Sequence, residues 1–269
     1  MTKYLKMLII KTKYNMRLVK KGLFAVLAMA SLSVNAQSNT SSETTSSEVP
    51  AYKNAVKINL IPLVTRTISL EYERAVADKI TLNATIAITP KGDLPFKSQF
   101  EDNFDDINII NATKFGAFSA ALEGRFYLGR KGAMRGFYIA PFAKYSDYNV
   151  KTSISFVESS TNVTEYVPIS GGISTMTFGF SLGVQWQLAK RITLDWRIIG
   201  PNYGFSSGTL EGKKELSAED QKTVLSHMND FNDIPLMKFK NEVNSQGAKS
   251  TISGPWAGIR TGLSIGFKL

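Results

Sequence analysis

From Thr177 to Ile198 the chain alternates apolar and polar residues, interrupted once. Phe178, Phe180, Leu182, Val184, Trp186 and Leu188 fall on one side of the first arm, and Thr177, Gly179, Ser181, Gly183, Gln185 and Gln187 on the other. After the tight turn Ala189-Lys190-Arg191, Ile192, Leu194, Trp196 and Ile198 alternate with Thr193, Asp195 and Arg197. A period of two is the signature of a strand with one apolar and one polar face. A soluble sandwich gives the same alternation. What separates this hairpin from one is arm length, roughly ten residues, which is what a tilted strand needs to cross a bilayer. The polar side, made of Gly, Ser, Gln, Asp and Arg, suits a lumen. The pattern predicts a transmembrane β-barrel with its apolar side toward lipid, and it places Leu182 and Leu194 near mid-membrane.

A formal charge of +10 would suggest a nucleic-acid or anionic-surface binder, but the excess is local. Lys3, Lys6, Lys11, Lys13, Arg17, Lys20 and Lys21 lie in residues 1–36, which hold no acidic residue; without these seven, 25 basic residues face 22 acidic ones, a net of +3. No nucleic-acid partner is expected. The basic stretch is followed by an apolar run from Gly22 to Val34 and then Val34-Asn35-Ala36, a small-x-small cleavage pattern, so residues 1–36 read as a signal peptide whose true start is Met16. An N-terminal anchor helix is the alternative, but the run is too short to span. No other stretch approaches the roughly eighteen apolar residues of a membrane helix. The mature protein is therefore expected to begin at or near Gln37. Mass spectrometry of outer-membrane material that found an intact Met1 or Met16 terminus would overturn the secretion argument. The chain has no cysteine, which removes disulfides, thiolate metal sites and N-terminal lipid attachment at cysteine.

Residues 37–52 are rich in Ser, Thr and Glu and read as a flexible periplasmic tail, leaving 53–269 for the barrel. The expected strands are Lys53–Leu63, Thr67–Ala75, Ile80–Ile88, Phe115–Leu128, Phe137–Tyr148, the two arms of the hairpin, and Trp256–Leu269. Phe137–Tyr148 is the hardest to phase, because both faces are apolar near Tyr138–Phe142 and Pro141 belongs at an edge or bulge. The long connections are Thr89–Thr113, Asn149–Gly172 (a loop, or an extension of its strands beyond the membrane) and Gly204–Gly254. Within the last, Ser217 can cap a short helix bearing the stripe Val224, Leu225, Met228 and Phe231, with Pro235 beyond its end. Short and long connections alternate as in an eight-stranded antiparallel barrel with short periplasmic turns and long extracellular loops, the first extracellular turn being unusually short. A soluble eight-stranded calyx would keep its apolar face inside.

The arrangement resembles the small eight-stranded barrels of the OmpA membrane-domain and OmpX kind. More closely, the chain resembles an outer-membrane barrel family of unknown function common in Bacteroidetes. The stretches that carry this are Lys57-Ile58-Asn59-Leu60, Ser69-Leu70-Glu71-Tyr72-Glu73, Glu123-Gly124-Arg125-Phe126-Tyr127, Gly136-Phe137-Tyr138 and the terminal strand, covering roughly Val56 to Leu269. The resemblance implies an integral outer-membrane protein and says almost nothing of activity. Arg260, Gly262, Ile265 and Phe267 fit the pattern read by the outer-membrane assembly machinery, although the chain ends Phe267-Lys268-Leu269 instead of on an aromatic residue.

The one histidine, His227, lies in the helical part of the last loop beside Ser226, and adjacent helix residues point in different directions. A Ser/His/acid hydrolase is therefore poorly supplied, and a closed or catalytic metal site needs three or four ligands. No P-loop or dinucleotide fingerprint is present, so no cofactor is expected. Inward-facing Lys57, Glu71, Glu73, Glu123, Arg125, Asp195, Arg197 and Arg260, with Lys268 and Lys144, form the more informative set. An eight-stranded barrel is just wide enough to be filled by side chains, and buried charges are tolerable when paired. The set reads either as a salt-bridged plug or as a gated ion path, with Glu71 or Glu73 and Arg125 or Arg197 as the leading partners. The acidic run Glu101–Asp106 and Lys213, Lys214, Lys222, Lys238 and Lys240 read as solvated loop charge.

These readings converge on a non-enzymatic outer-membrane barrel serving as a structural or interaction component, through its extracellular loops or as a subunit of a larger assembly. A narrow gated channel is the alternative, and a lipid-modifying enzyme the weakest reading. Expected partners are outer-membrane lipid and lipopolysaccharide, the assembly machinery and other outer-membrane proteins.

Overall fold

The computed structural model of the chain describes residues 52–93, 113–157, 164–229, 236 and 238–269. Expectations for the leader, for 37–51, for Glu101–Asp106, for Phe231 and for the side chain of His227 fall outside the described residues. Nine strands run β1 (Asn54–Asn59), β2 (Ile68–Ala77), β3 (Ile80–Asp93), β4 (Lys114–Tyr127), β5 (Gly136–Val157), β6 (Thr164–Gln187), β7 (Ile192–Lys213), β8 (Lys238–Asn244) and β9 (Gly247–Lys268), with one helix, α1 (Ala218–Asn229), before β8. Every neighbouring pair is antiparallel, and β1 pairs with β9 as well as with β2. Eight strands thus close a ring, β1 to β7 followed by β9. β8 stands outside it, on the edge of the first part of β9.

Period-two alternation sorts the side chains of this ring. On β6, Phe180 is 63% exposed and Ser181 wholly buried; on β4, Leu122 is 60% exposed and Glu123 is 1%. Large apolar residues cover the outside and polar residues fill the inside, the reverse of a soluble core and the arrangement a closed barrel takes in lipid. Among the described residues no helix is long and apolar enough to cross a membrane, so strands alone cross it. A closed barrel of this polarity is an integral outer-membrane protein.

Pro62, at the start of the 3-10 turn Ile61–Thr65, cuts β1 short, and Arg66 (φ 60°) turns the chain back into β2. The strand expected to reach Leu63 therefore ends at Asn59. At the opposite rim, Ala133 and Met134 of the β4–β5 turn are buried, with Ala133 N–H donating to Asp78 O (2.6 Å). Ala133 packs with Tyr127, Tyr138 and Ala140 as an apolar floor at the periplasmic mouth. Tyr52 is also tied down there, accepting from Arg191 Nε (3.2 Å) with the guanidinium over its ring, and this bond holds its hydroxyl below the usual tyrosine range.

The largest correction concerns Gly204–Gly254, whereas Asn149–Gly172 takes the second of its two expected forms. Asn149–Gly172 is strand extension over most of its length: β5 and β6 stay paired out to Val157 and Thr164. Gly204–Gly254 is not a loop but the upper half of β7, α1, β8 and the start of β9. Strands of 22–24 residues exceed the roughly 9–11 that cross a bilayer, so β5, β6, β7 and β9 continue outside as a collar. Ser217 caps α1 as expected: its hydroxyl accepts from Asp220 N–H (3.1 Å) and donates to the Asp220 carboxylate (2.6 Å). Register also moves Leu194, which lies beside Trp186 and Ile265 near the 188–191 turn. Leu182, flanked by Ile139 and Ile199, holds the mid-band position.

Candidate functional site

Register brings the inward charges to one level. Lys57 stands directly opposite Glu71, Glu73 opposite Asn83, and Asn83 opposite Glu123 on the next strand. Across the lumen, Asp195 pairs in register with Gln185 and Ser264, and Arg197 with Gly183 and Gly262. Gly183 and Gly262 matter because a side chain at either would occupy space taken by Tyr138 or by Asn59 and Arg197. Small residues on one strand admit long ones from its neighbours.

Arg125 is the hub. Its Nε reaches Glu123 Oε1 (2.6 Å), Nη1 reaches Asp195 (2.5 Å) and Glu73 (3.4 Å), and Nη2 reaches Glu71 (3.3 Å). Lys57 pairs with Glu73 and with Asp195 (2.6 Å). Arg197 bridges Glu71 and Glu123 (3.2 Å each), and Arg260 reaches the same Glu123 oxygen (3.2 Å). Four cations thus face four carboxylates, none with more than 9% of its side chain exposed. This balance is what burial in a low-dielectric interior requires, because a charge left without a partner there costs several kcal/mol.

Neutral groups complete the network. Tyr138 hydroxyl donates to Asp195 (2.8 Å), Ser264 to Glu71 (3.0 Å), Thr81 to Glu73 (2.5 Å) and Asn83 Nδ2 to Glu71 (3.1 Å). Tyr127 hydroxyl sits 2.7 Å from Glu73 and 2.6 Å from Gln185 Oε1. Guanidinium faces lie over aromatic rings, Arg125 over Tyr138 (4.6 Å) and Arg260 over Phe142 (4.4 Å). Period-two phasing of their strands against the outward apolar residues places Thr81, Asn83, Gln185 and Ser264 inside. Tyr127 and Tyr138 went unassigned because an aromatic residue on a strand fits either face.

The structure brings all eight of the inward charges together. Lys268 also points inward and donates to Gln187 (3.2 Å), while Lys144 lies half-buried above the network. Arg260 and Gly262 of the terminal strand face the lumen, and Ile265 and Phe267 face outward. Val224, Leu225 and Met228 sit on α1, which packs on β8 and β9, with Asn241 Nδ2 donating to Met228 O (2.9 Å). Among the described residues no three metal-ligating side chains gather.

One family model, described as "Protein of unknown function (DUF3575)", matches residues 23–209. No curated protein matches. Among solved structures, the chain is similar to the N-terminal β-barrel domain of Pseudomonas aeruginosa OprF (7% identity, 81% of this chain and 98% of that one, TM-score 0.29). It is also similar to Acinetobacter baumannii CarO2 (12%, 76% and 98%, TM-score 0.36) and to the Escherichia coli outer membrane protease OmpT (9%, 83% and 100%, TM-score 0.28). The fold is read from the register and burial above, independently of these likenesses.

Proposed function

The chain belongs to the family described as a protein of unknown function (DUF3575), and we propose that it is a non-enzymatic, sealed outer-membrane barrel that serves as a structural or interaction component through its collar. One observation carries this reading: a balanced network of four cations and four carboxylates fills the lumen from β1, β2, β4, β7 and β9. Below it lies the apolar floor of Tyr127, Ala133 and Tyr138. A lumen closed at two levels leaves no path for solute. The investment in extra chain is in β5–β9 outside the membrane, where partners would be met. The collar's outward Lys240–Glu242 and Lys249–Glu211 pairs are solvent-exposed, as on a surface that meets water or a hydrated partner.

The second reading, a narrow channel, draws on one feature. Thr193 Oγ1, Gln185 Nε2, Asn83 Oδ1 and Arg197 Nε are buried in the lumen and lack protein partners among the described residues. Planar-bilayer recording separates the two. The sealed barrel is expected to give no steady conductance. Open channels of uniform size from the wild type would overturn it and favour the channel.

A further inference from the structure

On the outer face of the barrel, where the apolar band gives way to the collar, three lysines meet in one pocket. Lys91, Lys114 and Lys151 line a depression of about 340 Å³ with Asn149, Ser170 and Gly172. Lys114 of β4 stands directly opposite Lys151 of β5. Like charges facing each other across a strand pair are destabilising unless something anionic is shared between them. Gly116 makes the third lysine fit: a Cβ there would meet Lys91 Cγ at 2.8 Å, so the missing side chain is the groove along which Lys91 lies.

The acids nearby neutralise one lysine of the three. Asp93 pairs with Lys114, on an exposed rim. Asp147, lower on β5, accepts from Asn149 (2.6 Å) and Ser174 (2.7 Å). Glu211, further along the same row, is paired with Lys249 (3.0 Å). Among the described residues no carboxylate pairs with Lys91 or Lys151.

Height identifies the anion. The last large outward apolar residues below the pocket are Phe118 on β4 and Tyr145 on β5. Lys151 is six residues beyond Tyr145, roughly 15 Å higher on a strand tilted by about 40°. That is the headgroup layer of the outer leaflet. We propose that Lys91, Lys114 and Lys151 bind a phosphate of an outer-leaflet glycolipid whose acyl chains lie on the apolar wall formed below by Phe118, Leu122, Ile139 and Tyr145. The two parts of this surface match the two parts of such a lipid, which is why a lipid phosphate fits it better than a soluble anion. The site stands apart from the sealed-lumen reading, and its test is blind to conductance.

The test compares retention of diphosphorylated lipid A with that of the same lipid dephosphorylated, by native mass spectrometry of the full-length protein released from detergent. The wild type should favour the phosphorylated lipid by about tenfold or more, since each basic residue near a membrane surface contributes about 1 kcal/mol. K91Q/K114Q/K151Q should lose most of that preference. K79Q/K131Q/K190Q, the same charge change on exposed periplasmic turns, should keep it and thereby control for net charge. All six lysines are exposed, so both variants are expected to fold, and circular dichroism checks this. Equal retention of the two lipids by the wild type, or an unchanged preference in K91Q/K114Q/K151Q, overturns the proposal. Release of bound lipid by excess inorganic phosphate would also overturn it, in favour of a free-anion site.

Discussion

Replacing Arg125 with Met is expected to destabilise the barrel by about 3–5 kcal/mol, the cost of breaking a buried ion pair, whereas an exposed pair is worth under about 1. No other residue touches all four lumenal carboxylates, so its loss leaves Lys57, Arg197 and Arg260 to balance Glu71, Glu73, Glu123 and Asp195. Glu123→Gln should cost less than Arg125→Met, because Arg125 keeps three other acids. The double substitution should cost less than the sum of the singles, since Arg125 Nε and Glu123 Oε1 are direct partners at 2.6 Å although they are two apart on one strand. A parallel cycle between Arg197 and Glu71, 3.2 Å apart, should show the same sign. Urea unfolding of protein refolded into lipid vesicles reads all of these. Wild-type stability in Arg125→Met would mean that the lumen is wet enough to screen its charges, and the sealed barrel would fall with it.

The second large effect belongs to the outer surface. Leu182→Arg should cost about 2–4 kcal/mol, the depth-dependent penalty for a cation facing lipid near the bilayer midplane. The same change at Leu194 should approach the smaller interfacial value of about 0–1 kcal/mol, because Leu194 lies beside Trp186, next to the periplasmic turn, where a long side chain can reach water. Thr251→Arg, on the outward face of the collar, should stay within about 0.5 kcal/mol of wild type. The order Leu182, Leu194, Thr251 is the check. Equal costs at Leu182 and Thr251 would place both outside the membrane.

Where a face met lipid, the sequence was readable. Outside its turn the 177–198 hairpin alternates because each residue there has either hydrocarbon or lumen to answer to. Phe137–Tyr148 resisted phasing for a local reason: Tyr138 and Phe142 point inward, the first hydrogen-bonding Asp195 and both lying under guanidinium groups. Aromatic rings used as lumenal polar partners cannot be told from lipid-facing rings by composition. The bulge on β7 between Arg197 and Gly200, where Leu182 faces Ile199 and Gly183 faces Arg197, shifts the pairing by one residue, which alternation alone does not reveal. The collar was missed for the opposite reason. Above the membrane the outward face of β7 and β9 meets water instead of hydrocarbon while Ser206, Ser250 and Ile252 stay buried on the other, so the stretches around Ser206–Thr209 and Ser250–Ser253 lose the apolar–polar alternation that reveals a strand. The charge set of the lumen was legible residue by residue, while its wiring, with Arg125 as hub, depends on which walls face each other.

The ring is joined where β1 meets the last five residues of β9, Ala55 opposite Lys268 and Asn59 opposite Ser264. Lys57, on that same short strand, is anchored to Asp195, 138 residues away. Closing so long a stretch of chain carries a large entropic penalty before any contact rewards it, and non-local pairing of this kind is slow. Until the two ends meet, Asp195 lacks its lysine and the lumenal charges are out of balance, so a nearly finished sheet gains little. Sealing the wall and neutralising the interior are then one event at the end of folding. The last five residues of β9 decide whether the earlier strands stay folded.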